Sequence, residues 1–185
     1  MDESSSMPDE MEVDQEFSDI TLRLLDISDV DDFMTWITDD RLKHFWSGNN
    51  FQTRIDALDY IRKVIIPHYW YRSICLNNRP IGAVTITEKD SSSAELGYVI
   101  ASKYWGKGIV THVLKLVTST IFLELSQLER LEAMVEVENK ASQRVLEKVG
   151  FQREGVLRKY LLFKGERRDM VMFSLLSTDL IPQYS

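Results

Sequence analysis

The sequence predicts a mixed α/β domain in which helices pack on a largely antiparallel sheet, and three observations carry that prediction. Short apolar runs bounded by turn residues recur along the chain, two of them joined by Asn77-Asn78-Arg79-Pro80 in the manner of a hairpin. A strand-like run ends in a glycine loop, which opens a helix-period pattern placing Ile109, Val113, Leu116, Val117 and Ile121 on one face. Two last β-rich runs, 153–163 and 168–176, flank Lys164-Gly165-Glu166. The predicted order is β α α β β β α β α β β.

The first strand covers 20–25. Ser28 and Asp31 stand three apart ahead of Phe33, Trp36 and Ile37, the spacing of a capping box, so a short helix begins there. Thr53 and Asp56 repeat the device ahead of Leu58, Ile61 and Ile65, and Pro67, which has no amide hydrogen, ends that second helix. Strands follow at 70–76, 81–88 and 94–100, the last after the polar loop 90–93. The glycine loop 103–108 leads into a helix reaching about residue 125, and 131–137 alternates as a strand. Asn139 opens a short helix carrying Val145, Leu146 and Val149. Gly150 stops it at the position where a left-handed residue is favoured. No internal repeat is present.

A chain of 185 residues, 44% of them hydrophobic, can bury one core without disulfides or a metal. The single cysteine, Cys75, excludes a disulfide framework and a multi-cysteine zinc site, fits a reducing compartment, and reads as buried core on its strand. His44, His68 and His112 are too scattered to suggest metal ligands, and no metal is expected. Short apolar runs and an N-terminus unlike a signal peptide predict a soluble cytoplasmic protein without a membrane partner, with the nucleus left open. The net charge of −7 comes from residues 1–16, which hold seven acids and no base and read as a disordered acidic tail. Residues 17–185 then form one domain in which 22 acids balance 22 bases. No basic stripe with interleaved aromatics appears, so nucleic acid is not an expected partner.

The chemistry concentrates after residue 94. A strand ends, Gly106 and Gly108 allow tight turning, and a helix starts at once. Successive amides in such a loop make an anion-binding concavity, and the helix N-terminus adds about half a positive charge, which suits phosphate. A dinucleotide fingerprint requires glycine where Thr111 stands, and a P-loop requires Ser or Thr where Gly108 follows Gly106-Lys107. By itself the loop also reads as a structural turn.

Taken with Asn139-Lys140-Ala141-Ser142 and Gly150-Phe151, this strand and loop resemble the GCN5-related N-acetyltransferase (GNAT) superfamily. The resemblance runs over about 20–176 and is densest over 95–151. It points to the branch of bacterial ribosomal-protein N-terminal acetyltransferases and their plant relatives. Lys103 stands where the family carries Gln or Arg. The resemblance implies a GNAT-type acyl-CoA N-acyltransferase fold, with acetyl-CoA as co-substrate in a splay between the fourth and fifth strands. The pantetheine arm would pair with the backbone of Tyr98, Val99 and Ile100. The pyrophosphate would sit on amides from Lys103 through Trp105, Gly106, Lys107 and Gly108 and of the first helical turn, Ile109, Val110 and Thr111. Asn139 matches the asparagine that bonds the pantetheine arm, although an asparagine there also suits a helix N-cap. Ser142 matches the serine placed to protonate the leaving thiolate, although a local helix bond would equally occupy it. Glu95 is the carboxylate best placed as general base, with a solvated strand glutamate as the plain alternative. Some relatives carry a glutamate where Leu161 stands here. Trp36 and Tyr160 are expected at the acceptor site, as are Trp46, Tyr69, Trp70 and Tyr71 if they are not core.

The implied function is direct transfer of acetyl from acetyl-CoA to a primary amine, above all a peptide α-amine. Two alternatives stand beside it: acetylation of a small amine or polyamine, and an inactive acyl-CoA-binding regulatory module.

Overall fold

Two capping devices set the start of the first half, and only one lies where the sequence suggests. The computed structural model describes residues 17–44 and 52–180. The acidic segment 1–16 and Trp46 lie outside the described residues. Strand β1, Ile20–Arg23, stops two residues short of expectation because Arg23 turns its guanidinium onto Asp29, at 2.7 and 2.8 Å. That pair fixes Asp29 as the return arm of a capping box whose cap is Asp26, not Ser28. Ser28 instead donates its hydroxyl to Asp26. One 3₁₀ turn, Ile27–Asp29, then leads into α1, Val30–Ile37. The predicted Thr53–Asp56 box is present and opens α2, Arg54–Tyr60, which continues as a π-helical turn, Ile61–Ile65.

Strands β2 (Trp70–Leu76) and β3 (Arg79–Glu88) form the expected hairpin. Asn77 and Asn78 both take positive φ, 50° and 63°, the conformation a tight two-residue hairpin turn demands. β4 is Ser93–Ile100, followed by a 3₁₀ turn, Ser102–Tyr104, and by α3, Ile109–Glu124. The buried face of α3 is Ile109, Val113, Leu114, Val117, Thr118 and Ile121. Leu116 lies on its exposed side at 47%, a correction to the predicted stripe: at about 100° per residue the stripe centred on Val113 and Val117 passes over Leu114. Thr118 is tolerated there because its hydroxyl donates to the Leu114 carbonyl at 2.8 Å. β5 (Arg130–Glu136), α4 (Lys140–Val149), β6 (Gln152–Phe163) and β7 (Glu166–Leu176) complete the order, and Gly150 ends α4 at φ 105°.

The strands form one sheet in the order β1-β2-β3-β4-β5-β7-β6. Its one parallel pair, β4 with β5, is short: Ser93, Ala94 and Glu95 face Arg130, Leu131 and Glu132, and pairing then ceases. Each face carries its own core. Leu96 and Ile100 of β4, Leu131, Ala133 and Val135 of β5, and the apolar sides of α3 and α4 share one cluster. Phe33 and Trp36 of α1, Ala57 of α2, Tyr71 and Ala83 share the other. Fully buried side chains such as Phe33, Leu114 and Leu146 each contribute roughly 2 kcal/mol from burial. Cys75 is fully buried and free, as expected.

Candidate active site

The opening between β4 and β5 joins the two faces. Because side chains alternate along a strand, Glu95, Gly97 and Val99 face the α1–α2 layer, while Leu96 and Tyr98 face α3 and α4. One cleft of about 410 Å³ is lined by residues of both sets. On one face its walls include Trp36, Tyr71, Glu95, Val99, Glu136 and Tyr160. On the other they are Tyr98, Asn139 and Ser142. The structure thus gathers Trp36, Glu95, Tyr98, Val99, Asn139, Ser142 and Tyr160, predicted from four separate stretches of sequence, around one cavity. Leu161 also lines it.

Ile100 is buried behind it, and the glycine loop lies past the end of β4. A Cβ at Gly82 would collide with the Val99 carbonyl and the Ile100 backbone, so β3 presses directly on this end of β4. The loop then turns through Gly106 and Gly108 at φ 73° and 77°, a region costly for any residue with a Cβ. Gly108 caps α3, whose first described intrahelical bond is from the His112 amide to the Gly108 carbonyl. The amides of Ile109, Val110 and Thr111 precede that bond and have no partner within the helix. Ile109 itself is core at 7% exposure, so only its backbone is offered to the loop. The Lys103 and Lys107 ammonium groups lie 4.9 and 5.5 Å from the centre of the Tyr104 ring, which holds two positive charges at the loop. The Trp105 indole donates to the Ile100 carbonyl at 3.0 Å. Asp39, just beyond α1, accepts from the Ser102 amide at 3.0 Å, and its carboxyl is held below the usual range by the Ser102 side chain first, with the Arg41 and Ser102 amides adding to it.

At the other wall, Asn139 caps α4, accepting from the Ser142 amide at 3.1 Å, so the capping role foreseen for it is filled. The phenol of Tyr98 donates to the Ser142 carbonyl at 3.2 Å, and burial pushes that phenol up to about 12. Sequence reasoning placed Tyr98 here through its backbone alone. The side-chain bond ties β4 to the start of α4.

Two carboxylates line the cleft, and they differ. Glu136, which the sequence did not single out, accepts from Arg168 at 2.6 and 2.7 Å, and Arg168 also donates to the His44 carbonyl. Glu95 has no ion pair among the described residues. Burial pushes its carboxyl above the usual range, Lys89 opposes that, and Glu132 adds to it. Glu132, directly across from Glu95, is engaged by both Lys89 and Arg130. Of the expected aromatics, Trp36 and Tyr71 line the cleft with Phe33 and Tyr60. Trp70 faces away and donates to Glu124 on α3, and Tyr69 is 56% exposed outside the cleft. Alternation along β2 separates Trp70 from Tyr71, and apolar composition alone does not reveal which face is which. Among the described residues no helix is long and apolar enough to cross a membrane, and no metal-binding cluster occurs.

Comparison with known proteins supplies the family. A family model described as an acetyltransferase (GNAT) domain matches residues 19–152. The uncharacterized N-acetyltransferase p20 of Bacillus licheniformis is 38% identical over 92 residues, 50% of this chain and 51% of that protein. The [ribosomal protein uS5]-alanine N-acetyltransferase of Escherichia coli is 36% identical over 89 residues, 47% of this chain and 44% of that one. The chain thus spans about half the length of these curated relatives. A solved spermidine N-acetyltransferase from Vibrio cholerae, in complex with CoA and spermine, shares the fold. Its TM-score is 0.73 at 23% identity, over 88% of this chain and 98% of that chain. All three are bacterial and lend no support to the plant branch. With its sheet opening, its glycine-turned helix start and a family match over most of its length, the chain belongs to the GNAT acetyltransferase family.

Proposed function

We propose that the protein transfers acetyl from acetyl-CoA to the α-amine of a peptide or protein. The observation that carries this reading is the charge pairing of the cleft: of its two carboxylates, Glu136 is paired with Arg168, while Glu95 has no ion pair among the described residues. One unpaired carboxylate suits one amine. A polyamine, with several cationic nitrogens, would gain little from a wall with a single free negative charge. The E. coli relative acts on a ribosomal-protein alanine, which favours the same class of acceptor.

The cofactor side fits acetyl-CoA. Amides of Ile109, Val110 and Thr111, with the loop from Lys103 through Trp105 and Gly106 to Lys107 and Gly108, would hold the pyrophosphate. Tyr98, Val99 and Ile100, unpaired on the β5 side, would receive the pantetheine arm with Asn139. In the reaction the neutral amine attacks the thioester carbonyl carbon, forming a C–N bond. A backbone amide near Val99 or Ile100 steadies the oxyanion. The C–S bond then breaks, Glu95 takes a proton from the amine nitrogen and returns it to water, and the Ser142 hydroxyl delivers one to the thiolate while it takes a replacement from water. Trp36 and Tyr160 flank the incoming acceptor.

An α-amine is ~30% neutral near pH 7.4 and a lysine amine only ~0.1%, so one modestly placed carboxylate serves the former far better. Thiol release from acetyl-CoA should therefore be fast with free-N-terminal peptides and slow with spermine or with blocked peptides carrying internal lysines. Faster release with spermine would replace the α-amine reading with the polyamine one. Binding of acetyl-CoA without release to any amine would leave the regulatory module.

A further inference from the structure

The β6–β7 hairpin supplies Tyr160, Leu161 and Met170 to the acceptor cleft, and the charge of its outer part departs from that of the rest of the domain. Residues 156–169 carry Arg158, Lys159, Lys164, Arg167 and Arg168 against only Glu166 and Asp169. Arg168 is committed to Glu136. Asp169 spends a carboxylate oxygen on the Lys159 amide at 2.6 Å, so it serves the backbone and not a cation. Further down β6, Glu154 is taken by Arg130 and Ser174 and held down to about 2 by the Arg130 bond above all. Arg158, Lys159 and Arg167 consequently have no carboxylate partner among the described residues.

The backbone shapes this charge into a receptacle. β6 is an edge strand, and its register against β7 slips between Leu157 and Leu161, with Lys159 at φ 50°. Arg167 reaches across the slip toward the carbonyls of Lys159 and Tyr160. The resulting hollow is lined by Val156, Leu157, Arg158, Lys159, Tyr160 and Asp169. Tyr160 also lines the cleft that holds Glu95, so the two depressions share one wall. A chain whose amino terminus lies at Glu95 leaves over Tyr160 into a basic hollow beside an unpaired strand edge.

Resting on the α-amine reading above, we propose that this hairpin is a docking surface for the acceptor, and that it selects proteins whose residues following the amino terminus are acidic. Charge complementarity commits the surface to that class. The test uses peptides that share their first few residues and continue with a short run of Asp/Glu, Gln or Lys, together with the shared head alone as a short amide. At about 50 mM salt the acidic peptide should exceed the Gln peptide about tenfold in kcat/KM, and the gap should shrink severalfold near 0.5 M salt, where screening reaches a few ångströms. The double variant Arg158→Glu/Lys159→Glu should erase or reverse the preference while the short head peptide turns over as before. Lys159→Glu adds no new backbone strain, since both residues carry a Cβ, and an unchanged melting temperature verifies the fold. Equal kcat/KM for all three tails would overturn the docking surface while leaving the α-amine reading standing. Failure to acetylate any of them, the head included, would overturn the α-amine reading itself.

Discussion

The two sides of the cleft are made of different materials. The side we propose for the cofactor is backbone: left-handed glycines, the leading amides of α3 and the edge of β4 left without β5 pairing. The side we propose for the acceptor is side chain: an aromatic wall from α1, α2 and β2, a carboxylate on β4 with no ion pair among the described residues, and a basic hairpin from β6 and β7. Backbone recognition constrains residue type at only a few positions, where a Cβ would strain or collide, and leaves the rest free. Side-chain recognition draws its chemistry from whatever residues the fold brings together. One side is therefore suited to a fixed ligand and the other to a variable one.

The sharpest way to separate the two sides is Glu95→Gln. It should lower kcat/KM for a good peptide by up to about 30-fold with acetyl-CoA affinity unchanged. A loss of a thousandfold or more would show that Glu95 carries far more of the reaction than one modestly placed base. The wild-type acid limb should lie above the ordinary carboxylate range, because burial raises the Glu95 carboxyl, and it should vanish in the Gln variant. Stability runs the other way. A carboxyl raised in the folded state contributes stability only while protonated, and that contribution is lost as pH rises through the folded value. Glu95→Gln should then melt no lower than wild type at neutral pH, whereas a merely structural glutamate would leave a less stable protein.

Gly108→Val probes the backbone side. At φ 77° a valine is strained by roughly 1–2 kcal/mol, and its Cβ would also touch Phe17. Acetyl-CoA should bind about tenfold more weakly by calorimetry in a protein that still folds. Unchanged affinity would remove the loop from the cofactor side. Tyr98→Phe tests the tie between β4 and α4. Losing one neutral hydrogen bond, worth about 1 kcal/mol, should raise the acetyl-CoA Kd about threefold with kcat nearly constant. A fall in kcat with Kd intact would place the phenol on the chemical step. The smallest effect is expected from deleting residues 1–16, which should shift the melting temperature by no more than about 2 °C, within the reach of a surface change. A large drop would mean that the segment packs on the domain.

The legibility of the molecule follows the same division. Gly106, Gly108, the Thr53–Asp56 box, the Asn77-Asn78 turn and the Gly150 stop were readable because each answers a local backbone demand within a few residues. Where two local solutions compete, sequence misleads. Ser28 had the spacing of a cap, but Arg23 recruited Asp29 and moved the cap to Asp26. Leu116 matched the helical period, but the stripe's centre depends on what α3 packs against.

By itself, then, the sequence determined the order of elements, the turning glycines, the start of α3 and the residue types available at the site, since these depend on φ, on capping and on short-range periodicity. Only the tertiary structure decided that β4 and β5 part after Glu95, which carboxylate is left unpaired, which aromatics face the cleft and where β6 slips. Each of these is a contact between segments far apart in the chain. Arg168 neutralises Glu136 from 32 residues away, and Tyr98 reaches Ser142 across 44. Such pairings are set by the packing of whole elements, and no local pattern encodes them.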